Sequence, residues 1–285
     1  MRRVGIVAKP DAPRAPEVVT RLVDWLTSRN IEVTLEKETA GIVPAVRVAA
    51  ASKPELPSMA DLLIVLGGDG TLLSMARAVG DLGVPIMGVN LGGLGFLTAT
   101  TLDEMLPSLE AMIQGRMVVE ERMMLTARVI RNGVAVCEHM ALNDMVITKS
   151  AMSRIISLAV SVEGAYATAY RADGLIISTP TGSTAYSLSA GGPIVFPTVE
   201  AVVLTPICSH TLTNRPLVLP GSHRIEVTVQ SDQEIMLTVD GQVGVGLRER
   251  DVVEIVRPTA RMRLVRFPQK DFFSVLRTKL KWQER

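Results

Sequence analysis

Gly67–Thr71 is the stretch whose residue types point most directly to chemistry. It reads Gly-Gly-Asp-Gly-Thr and follows the apolar run Leu62–Leu66, after which a helical apolar period begins. The pattern predicts a strand, a tight turn and a helix, a junction whose backbone N–H groups suit phosphate. An anion at Asp69 in that setting indicates a bound metal or a proton transfer, so we expect phosphoryl chemistry. The alternative is a plain turn with Asp69 near an N-cap, because the run matches neither the Walker loop nor the dinucleotide fingerprint.

A second polar block, Asp173–Pro193, is rich in hydroxyl groups. Five of the nine residues in Ser178–Tyr186 are Ser or Thr, another is the phenol Tyr186, and Gly182 lets the backbone turn. Neutral donors and acceptors at this density suit a neutral polar ligand such as a ribose or an amide. An ordinary Ser/Thr-rich capping loop is the alternative.

Two shorter motifs accompany these blocks. Asn143 and Asp144 precede an apolar run, where a carboxylate can accept from two ribose hydroxyls while the amide reads an adenine edge; a simple β-turn is the alternative. The glycine-rich loop Asn90–Phe96 follows a predicted strand, so it can line one crevice with Gly67–Thr71, and Phe96 is available to contact a ligand.

The elements that must position these residues fall into two groups. Up to residue 117, strands and helices alternate, which predicts a doubly wound α/β domain with a mainly parallel sheet. From 118 to 267 short β-rich segments and turns predominate, including an Asn132-Gly133 hairpin signal, which predicts a mostly-β C-terminal domain. We expect a C-terminal helix within 268–285 to pack back on the first domain.

The charge and the cysteine and histidine content limit the classes of partner and ligand that the protein is expected to bind. The formal net charge is +1 and no block of Lys or Arg occurs, which argues against a nucleic-acid or membrane-surface partner. Cys137 and Cys208 are isolated and suit a reducing compartment, so we expect free thiols and a cytoplasmic protein. The three histidines, His139, His210 and His223, lack the spacing of zinc ligands.

Together these motifs resemble the NAD kinases, and in particular their bacterial ATP- or polyphosphate-dependent members. The resemblance extends over nearly the whole chain and includes Gly67–Thr71, Asn90–Phe96, Asn143-Asp144, Asp173–Pro193 and a late Asp-Gly-Gln at 240–242. It implies a fold of the NAD kinase and diacylglycerol kinase type. The implied activity is transfer of a phosphoryl group from ATP, or another donor, to the 2′-hydroxyl of the adenosine ribose of NAD, which is the step of NADP biosynthesis.

The resemblance also implies roles for single residues. Asp69 matches the catalytic carboxylate, as a general base or a metal ligand, and the phosphate loop that binds the donor comprises Gly67, Gly68, Gly70 and Thr71. The residues expected at the NAD site are Phe96, Asn143, Asp144, Arg171, Asp173, Thr181, Thr184, Ala185, Tyr186, Ser189 and Gln242. The family commonly has Glu where Asp144 stands. Arg171 is included because its charge would favour one redox form of the cofactor; a solvated ion pair is the alternative.

Neither glycine-rich loop contains Lys or Arg, so we expect Mg²⁺, carried by the donor phosphates and in one alternative bound by Asp69, to neutralise the transferred group. The resemblance further implies a homodimer or homotetramer, with NAD and ATP as the small-molecule partners. Two other functions remain open. A lipid kinase of the diacylglycerol or sphingosine type shares the Gly67–Thr71 motif, and a non-catalytic NADP-binding sensor would use the same pocket.

Overall fold

The computed structural model describes residues 2–116, 118–150, 154–211, 213–266 and 271–282. Within these residues the helices are α1 (Ala15–Thr27), α2 (Lys37–Ile42), α3 (Asp69–Val79), α4 (Leu102–Ile113), α5 (Tyr186–Ser189) and α6 (Phe272–Leu280). The strands are β1 (Arg3–Ala8), β2 (Glu32–Glu36), β3 (Ala49–Ala51), β4 (Leu62–Gly67), β5 (Ile86–Asn90), β6 (Val118–Met123), β7 (Leu125–Arg131), β8 (Val134–Ala141), β9 (Asp144–Lys149), β10 (Ile156–Val162), β11 (Ala165–Ala172), β12 (Gly174–Ser178), β13 (Ala201–Ile207), β14 (Leu217–Pro220), β15 (Ile225–Val229), β16 (Ile235–Val239), β17 (Val243–Leu247), β18 (Val252–Val256) and β19 (Arg261–Arg266).

The chain divides into two compact units. Unit 1 comprises the described residues of Met1–Glu121 and Met262–Arg285, and unit 2 comprises those of Arg122–Arg261. No helix among the described residues is both long and apolar enough to cross a lipid bilayer.

Unit 1 is built on a seven-stranded sheet with the order β3-β2-β1-β4-β5-β19-β6. The pairs from β3 to β19 along this order are parallel. Helix α1 carries its apolar residues at helical spacing, and Val19, Leu22 and Leu26 are completely buried in the same core as β1 and β4. The predicted doubly wound α/β domain is therefore present, with the strand order reversing between β1 and β4.

Unit 2 contains two six-stranded antiparallel sheets. Their orders are β11-β10-β15-β18-β7-β8 and β14-β13-β12-β9-β16-β17. Inward-facing residues of both sheets, such as Leu158 and Ile177, form one hydrophobic core. The predicted hairpin joins β7 to β8, with positive φ at Asn132 (51°) and Gly133 (77°). The predicted mostly-β domain is confirmed.

The structure corrects the assignment of β19. The sequence places this strand in the second domain, up to residue 267, but its Leu264 pairs with Ile86 of β5 in the sheet of unit 1. An apolar strand carries no local signal for the sheet it joins, because both sheets offer the same backbone partners. Helix α6 is grouped with unit 1, as the sequence predicts, and its Val275 and Leu276 are buried.

Several short elements have no prediction in the sequence. Strand β3 consists of three alanines, which have low strand propensity, and β17 is interrupted by glycines at 244 and 246. Strands β6, β11 and β14 carry mostly exposed or half-exposed residues, so no continuous apolar run marks them. All five lie at the edges of their sheets, where pairing rather than sequence pattern defines the strand.

Candidate functional site

Asp69 is the first residue of α3, directly after β4, and the N-cap of that helix is Gly68. Its carboxylate does not cap the helix. Oδ2 accepts a hydrogen bond from the backbone N–H of Phe96 (2.9 Å), while Oδ1 accepts from the N–H groups of Leu97 (3.1 Å) and Thr98 (2.9 Å). Oδ1 also accepts from the Thr98 hydroxyl at 2.9 Å. Asp69 therefore joins the two glycine-rich loops. The sequence predicts that they line one crevice, but Gly68, Gly70 and Thr71 line one described cavity and Asn90, Gly92 and Leu94 line another.

Gly95 allows this close approach. A Cβ at position 95 would lie 2.1 Å from Asp69 Oδ1 and 2.3 Å from Thr98 Oγ1, so no other residue type fits without a shift. Asn90, at the end of β5, supports the same loop: its Nδ2 donates to Thr98 Oγ1 at 3.1 Å, and its Oδ1 accepts from the N–H of Gly92 at 2.6 Å. The loop is thus fixed by hydrogen bonds from both of its neighbouring strand ends.

The Gly67–Thr71 motif borders a cavity of about 390 Å³ in unit 1. Gly68, Gly70 and Thr71 line it, while Gly67 lies behind, where an added Cβ would be 2.7 Å from the Thr71 hydroxyl oxygen. Two lysines, Lys9 and Lys53, line the same cavity. Positive charge at this cavity therefore comes from outside the two glycine-rich loops.

Unit 2 has its own cavity, of about 470 Å³, whose lining mixes polar side chains with apolar ones such as Val146. It brings together four of the predicted NAD-site residues, namely Asn143, Asp144, Ala185 and Tyr186. The first two stand where β9 begins, and the other two lie at the start of α5. The two blocks separated by about forty positions in the printed sequence thus share one space.

Backbone contacts hold these two segments together. The N–H of Thr179 donates to the carbonyl oxygen of Asn143 at 2.9 Å, and the hydroxyl of Thr179 donates to that of Leu142 at 2.6 Å. At Gly182 a Cβ would lie 2.1 Å from the Asn143 carbonyl oxygen, which explains the glycine in the middle of the hydroxyl-rich block.

The hydroxyl-rich block proves to be divided between structural and free groups. Ser178, Thr179 and Ser183 donate their hydroxyl protons to backbone carbonyl groups. Within the described residues Thr181 Oγ1 and Asn143 Oδ1 are buried and have no hydrogen-bond partner. A buried polar atom without a partner is unfavourable by about 1–3 kcal/mol, so these two atoms are candidates for contact with a ligand.

Asp240 is the residue that the predicted set lacks. It stands with Gly241 in the three-residue turn, 240–242, between β16 and β17, at a φ of 49°. Its buried carboxylate accepts from three successive backbone N–H groups, those of Leu142 (3.2 Å), Asn143 (2.8 Å) and Asp144 (3.2 Å). Its own N–H donates to the Asp144 carbonyl at 2.9 Å. The Asp-Gly turn signal locates Asp240, but not this role.

The electrostatics of the unit 2 cavity centre on Asp144, which is only 5% exposed. Burial raises the pKa of Asp144 to about 7, and the neighbouring negative charge of Asp240 adds to the rise. A buried carboxyl group with so strongly raised a pKa, lining a cavity, is typical of functional sites.

The remaining predicted residues lie outside the lining of that cavity. Arg171 is exposed on β11, while the carboxylate of Asp173 is 3.6 Å from the ammonium of Lys149. Thr184 donates to the Thr181 carbonyl at 3.3 Å, and Ser189 and Gln242 are exposed. Phe96 is half-buried in unit 1. Their roles at the NAD site stay predictions.

No group of three or more His, Cys, Asp or Glu side chains among the described residues is arranged to hold a metal ion. Both cysteines, Cys137 and Cys208, are free, as the sequence predicts.

Comparison with protein families covers most of the chain. Residues 4–117 match the family model of the ATP-NAD kinase N-terminal domain, and residues 142–267 match that of the ATP-NAD kinase C-terminal domain. The NAD kinases of Geobacter sulfurreducens and Syntrophotalea carbinolica are each 50% identical to the chain, and in both cases the match covers 100% of both proteins.

Two solved structures share the fold. A yeast NADH kinase complexed with NADH has a TM-score of 0.93 at 28% identity, covering 100% of this chain and 89% of the yeast chain. An NAD kinase from Archaeoglobus fulgidus in complex with ATP has a TM-score of 0.78 at 26% identity, covering 98% of each chain. The family models, the full-length relatives and the two-unit fold agree, and the chain belongs to the NAD kinase family.

Proposed function

We propose that the chain transfers the terminal phosphoryl group of ATP to the 2′-hydroxyl of the adenosine ribose of NAD, forming NADP, with Asp69 as the proton acceptor. Membership of the NAD kinase family makes the chain a phosphotransferase. The observation that carries the choice of acceptor is the unit 2 cavity, where Asn143, Asp144 and Tyr186 surround one space. The Gly67–Thr71 motif alone suits a lipid kinase equally well, and the amide of Asn143 and the carboxylate of Asp144 favour a ribose and a base over a lipid.

The acceptor half of the reaction uses the polar groups of unit 2. The carboxylate of Asp144 accepts hydrogen bonds from ribose hydroxyl groups, and Asn143 Oδ1, which has no partner within the described residues, accepts from an adenine amino group. The exposed ring of Tyr186 offers an aromatic face to the base. Thr181 Oγ1, likewise buried, supplies a further contact.

The transfer itself forms a bond between the ribose 2′-oxygen and the terminal phosphorus, and breaks the bond from that phosphorus to the bridging oxygen, so that ADP leaves. The hydroxyl proton moves to Asp69 Oδ2, which accepts one hydrogen bond in the described structure. Oδ1 accepts three, and these donors orient the carboxylate. The value of Asp69 lies in this orientation.

Mg²⁺ fits the site only as an ion carried by the donor phosphates. Three donors already occupy Asp69 Oδ1, and in this proposal Oδ2 takes the proton, so neither oxygen is assigned to the ion. The ion supplies neutralisation of the charge on the transferred group. A cytoplasmic location and a homodimer or homotetramer complete the proposal; the free thiols support the former.

One assay tests the function. Purified protein is incubated with NAD and Mg²⁺ATP, and NADP is quantified, with diacylglycerol as a parallel acceptor. We expect NADP and no phosphorylated lipid. Tight NADP binding without turnover would instead identify a sensor.

The Asp69→Asn variant tests the assigned base. We expect kcat to fall at least about a hundredfold while the protein stays folded. Asp81→Asn, which removes an exposed carboxylate beyond the end of α3, is the matched control and should retain activity. Near wild-type turnover by a folded Asp69→Asn protein would contradict the role.

A further inference from the structure

The cavity of unit 1 lies where the parallel sheet changes direction. From β1 the chain builds outward to β2 and β3 on one side, and then returns to place β4 and β5 on the other. The carboxyl ends of β1 and β4 are therefore adjacent, at Ala8 and Gly67. Ligands of doubly wound sheets bind in the crevice that this reversal opens. Residues following both strand ends, including Lys9 and Gly68, line the cavity.

Two lysines supply positive charge to this cavity from separate loops. The backbone N–H of Lys9 donates to the Leu66 carbonyl at 2.8 Å, which fixes its position beside the end of β4. Its ammonium is 3.4 Å from Asp11, and these side chains are 53% and 74% exposed. An ion pair so exposed contributes little, so the ammonium is available to another anion. Lys53 is half-buried and donates to the hydroxyl of Ser74, a neutral group, at 3.3 Å.

The acidic groups at the same cavity have other roles. Glu36 is buried and accepts from the N–H of Thr39 at 3.1 Å, capping α2. The hydroxyl of Thr39 in turn accepts from the N–H of Ala8 at 2.8 Å, so this carboxylate helps hold the end of β1 in place. Glu38 lies in the first turn of α2 and is exposed. Glu36 caps a helix through its carboxylate, whereas the ammonium groups of Lys9 and Lys53 make no such bond to the backbone of a helix or strand in the described contacts.

We propose that Lys9 and Lys53 bind the phosphoryl donor, their ammonium groups contacting oxygens of its phosphate chain beside the loop residues Gly68, Gly70 and Thr71. This inference rests on the proposed function and adds to it the cations that the glycine-rich loops lack. Lysine binds phosphate as a mobile point charge, which suits a chain whose terminal group must leave the site. The volume of about 390 Å³ is in the range of small-molecule sites. The recognised feature is the linear polyphosphate itself, whether from a nucleoside triphosphate or from inorganic polyphosphate.

Binding measurements on Lys53→Met and Lys9→Met test the proposal. The dissociation constant of Mg²⁺ATP is measured by titration calorimetry in the absence of NAD, for the full-length protein and each variant. We expect each variant to bind at least about tenfold more weakly, the usual effect of losing one charged contact. In steady-state assays the KM for ATP should rise while the KM for NAD stays unchanged. Lys53→Arg, which keeps the charge, should restore most of the affinity.

Lys37→Met is the matched control, because Lys37 lies between Glu36 and Glu38, is exposed and does not line the cavity. Its affinity for Mg²⁺ATP should equal that of the wild type. An equal loss in Lys37→Met would reveal a diffuse charge effect and overturn the proposal, as would unchanged affinity in Lys53→Met and Lys9→Met.

Inorganic tripolyphosphate separates recognition of the phosphate chain from recognition of the nucleoside. We expect it to displace Mg²⁺ATP from the wild type and to bind more weakly to both lysine variants. A failure of tripolyphosphate to compete would show that the nucleoside is what binds, which overturns the inference. Wild-type protein that forms no NADP yet shows these binding losses would overturn the proposed function alone.

Discussion

The Asp144→Asn substitution removes a buried carboxyl group whose ionisation the fold opposes. Burial, with the neighbouring Asp240, raises the pKa of Asp144 from 3.8 to about 7. Below pH 3.8 the group is protonated in both the folded and the unfolded chain, and no penalty arises. Between 3.8 and about 7 the folded chain holds a proton that the unfolded chain has released, so the free energy of unfolding falls as the pH rises. Above about pH 7 the penalty is complete.

The magnitude follows from the two pKa values. The interval from 3.8 to about 7 corresponds to roughly 4 kcal/mol at full ionisation, at about 1.4 kcal/mol per pKa unit. Asparagine does not ionise, so the stability of Asp144→Asn relative to wild type should increase by roughly 2–3 kcal/mol between pH 5 and pH 8. For a unit of this size that equals a relative gain of roughly 5–10 °C in the melting midpoint.

Thermal unfolding monitored by circular dichroism at pH 5, 6, 7 and 8, without NAD, is the assay. Using the change of the difference with pH cancels any constant effect of the amide on hydrogen bonding. Asp232→Asn removes an exposed carboxylate of the same unit and serves as the control, with a difference that stays constant. If the melting curves of wild type and Asp144→Asn shift in parallel across this range, the assignment of a buried, reluctantly ionised carboxyl group is refuted.

Three further predictions concern binding and turnover. The wild-type affinity for NAD should rise roughly tenfold from pH 6 to pH 8, because only ionised Asp144 accepts from ribose hydroxyls, and Asp144→Asn should abolish this dependence in calorimetric titrations. Gly95→Ala should lower kcat at least about tenfold by displacing Asp69, whose Oδ1 would lie 2.1 Å from the new Cβ, whereas Gly93→Ala, where nothing lies within 4 Å, should keep wild-type kcat. Thr98→Val removes one donor to Asp69 and should reduce kcat about tenfold with an unchanged KM for NAD; an unchanged kcat would show that the hydroxyl does not orient the carboxylate.

Local patterns were sufficient where a single stretch of sequence determines the structure. The apolar run before Gly67 and the helical period after Thr71 predict β4, its turn and α3, because burial and backbone sterics act within a few residues. The Asn132-Gly133 hairpin is predictable for the same reason, since its turn requires two positive φ values that these residue types adopt readily.

Contacts between distant segments were beyond the reach of such patterns. Lys9 and Lys53 are isolated cations in unremarkable stretches, and only the order of strands in the sheet brings them to the same cavity as Gly68. The hydrogen bonds from the 96–98 backbone to Asp69 are equally unpredictable. Every residue type except proline has a backbone N–H donor, so the side chains at 96–98 do not indicate these bonds. The six residues of β19 likewise give no indication that this strand pairs with β5 in the sheet of unit 1.

The turn aspartate of unit 2 has a consequence for how this site tolerates sequence change. Asp240 holds positions 142–144 entirely through their amide hydrogens, across a separation of nearly one hundred residues. These hydrogen bonds do not depend on which side chains occupy positions 142–144. Position 144 can therefore exchange Asp for the longer Glu and alter its reach toward the ribose while the main chain beneath it keeps its place. Asp240 positions the backbone, whereas the side chain at 144 contacts the substrate. Because these are different residues, the substrate contact can change without a change in the fold.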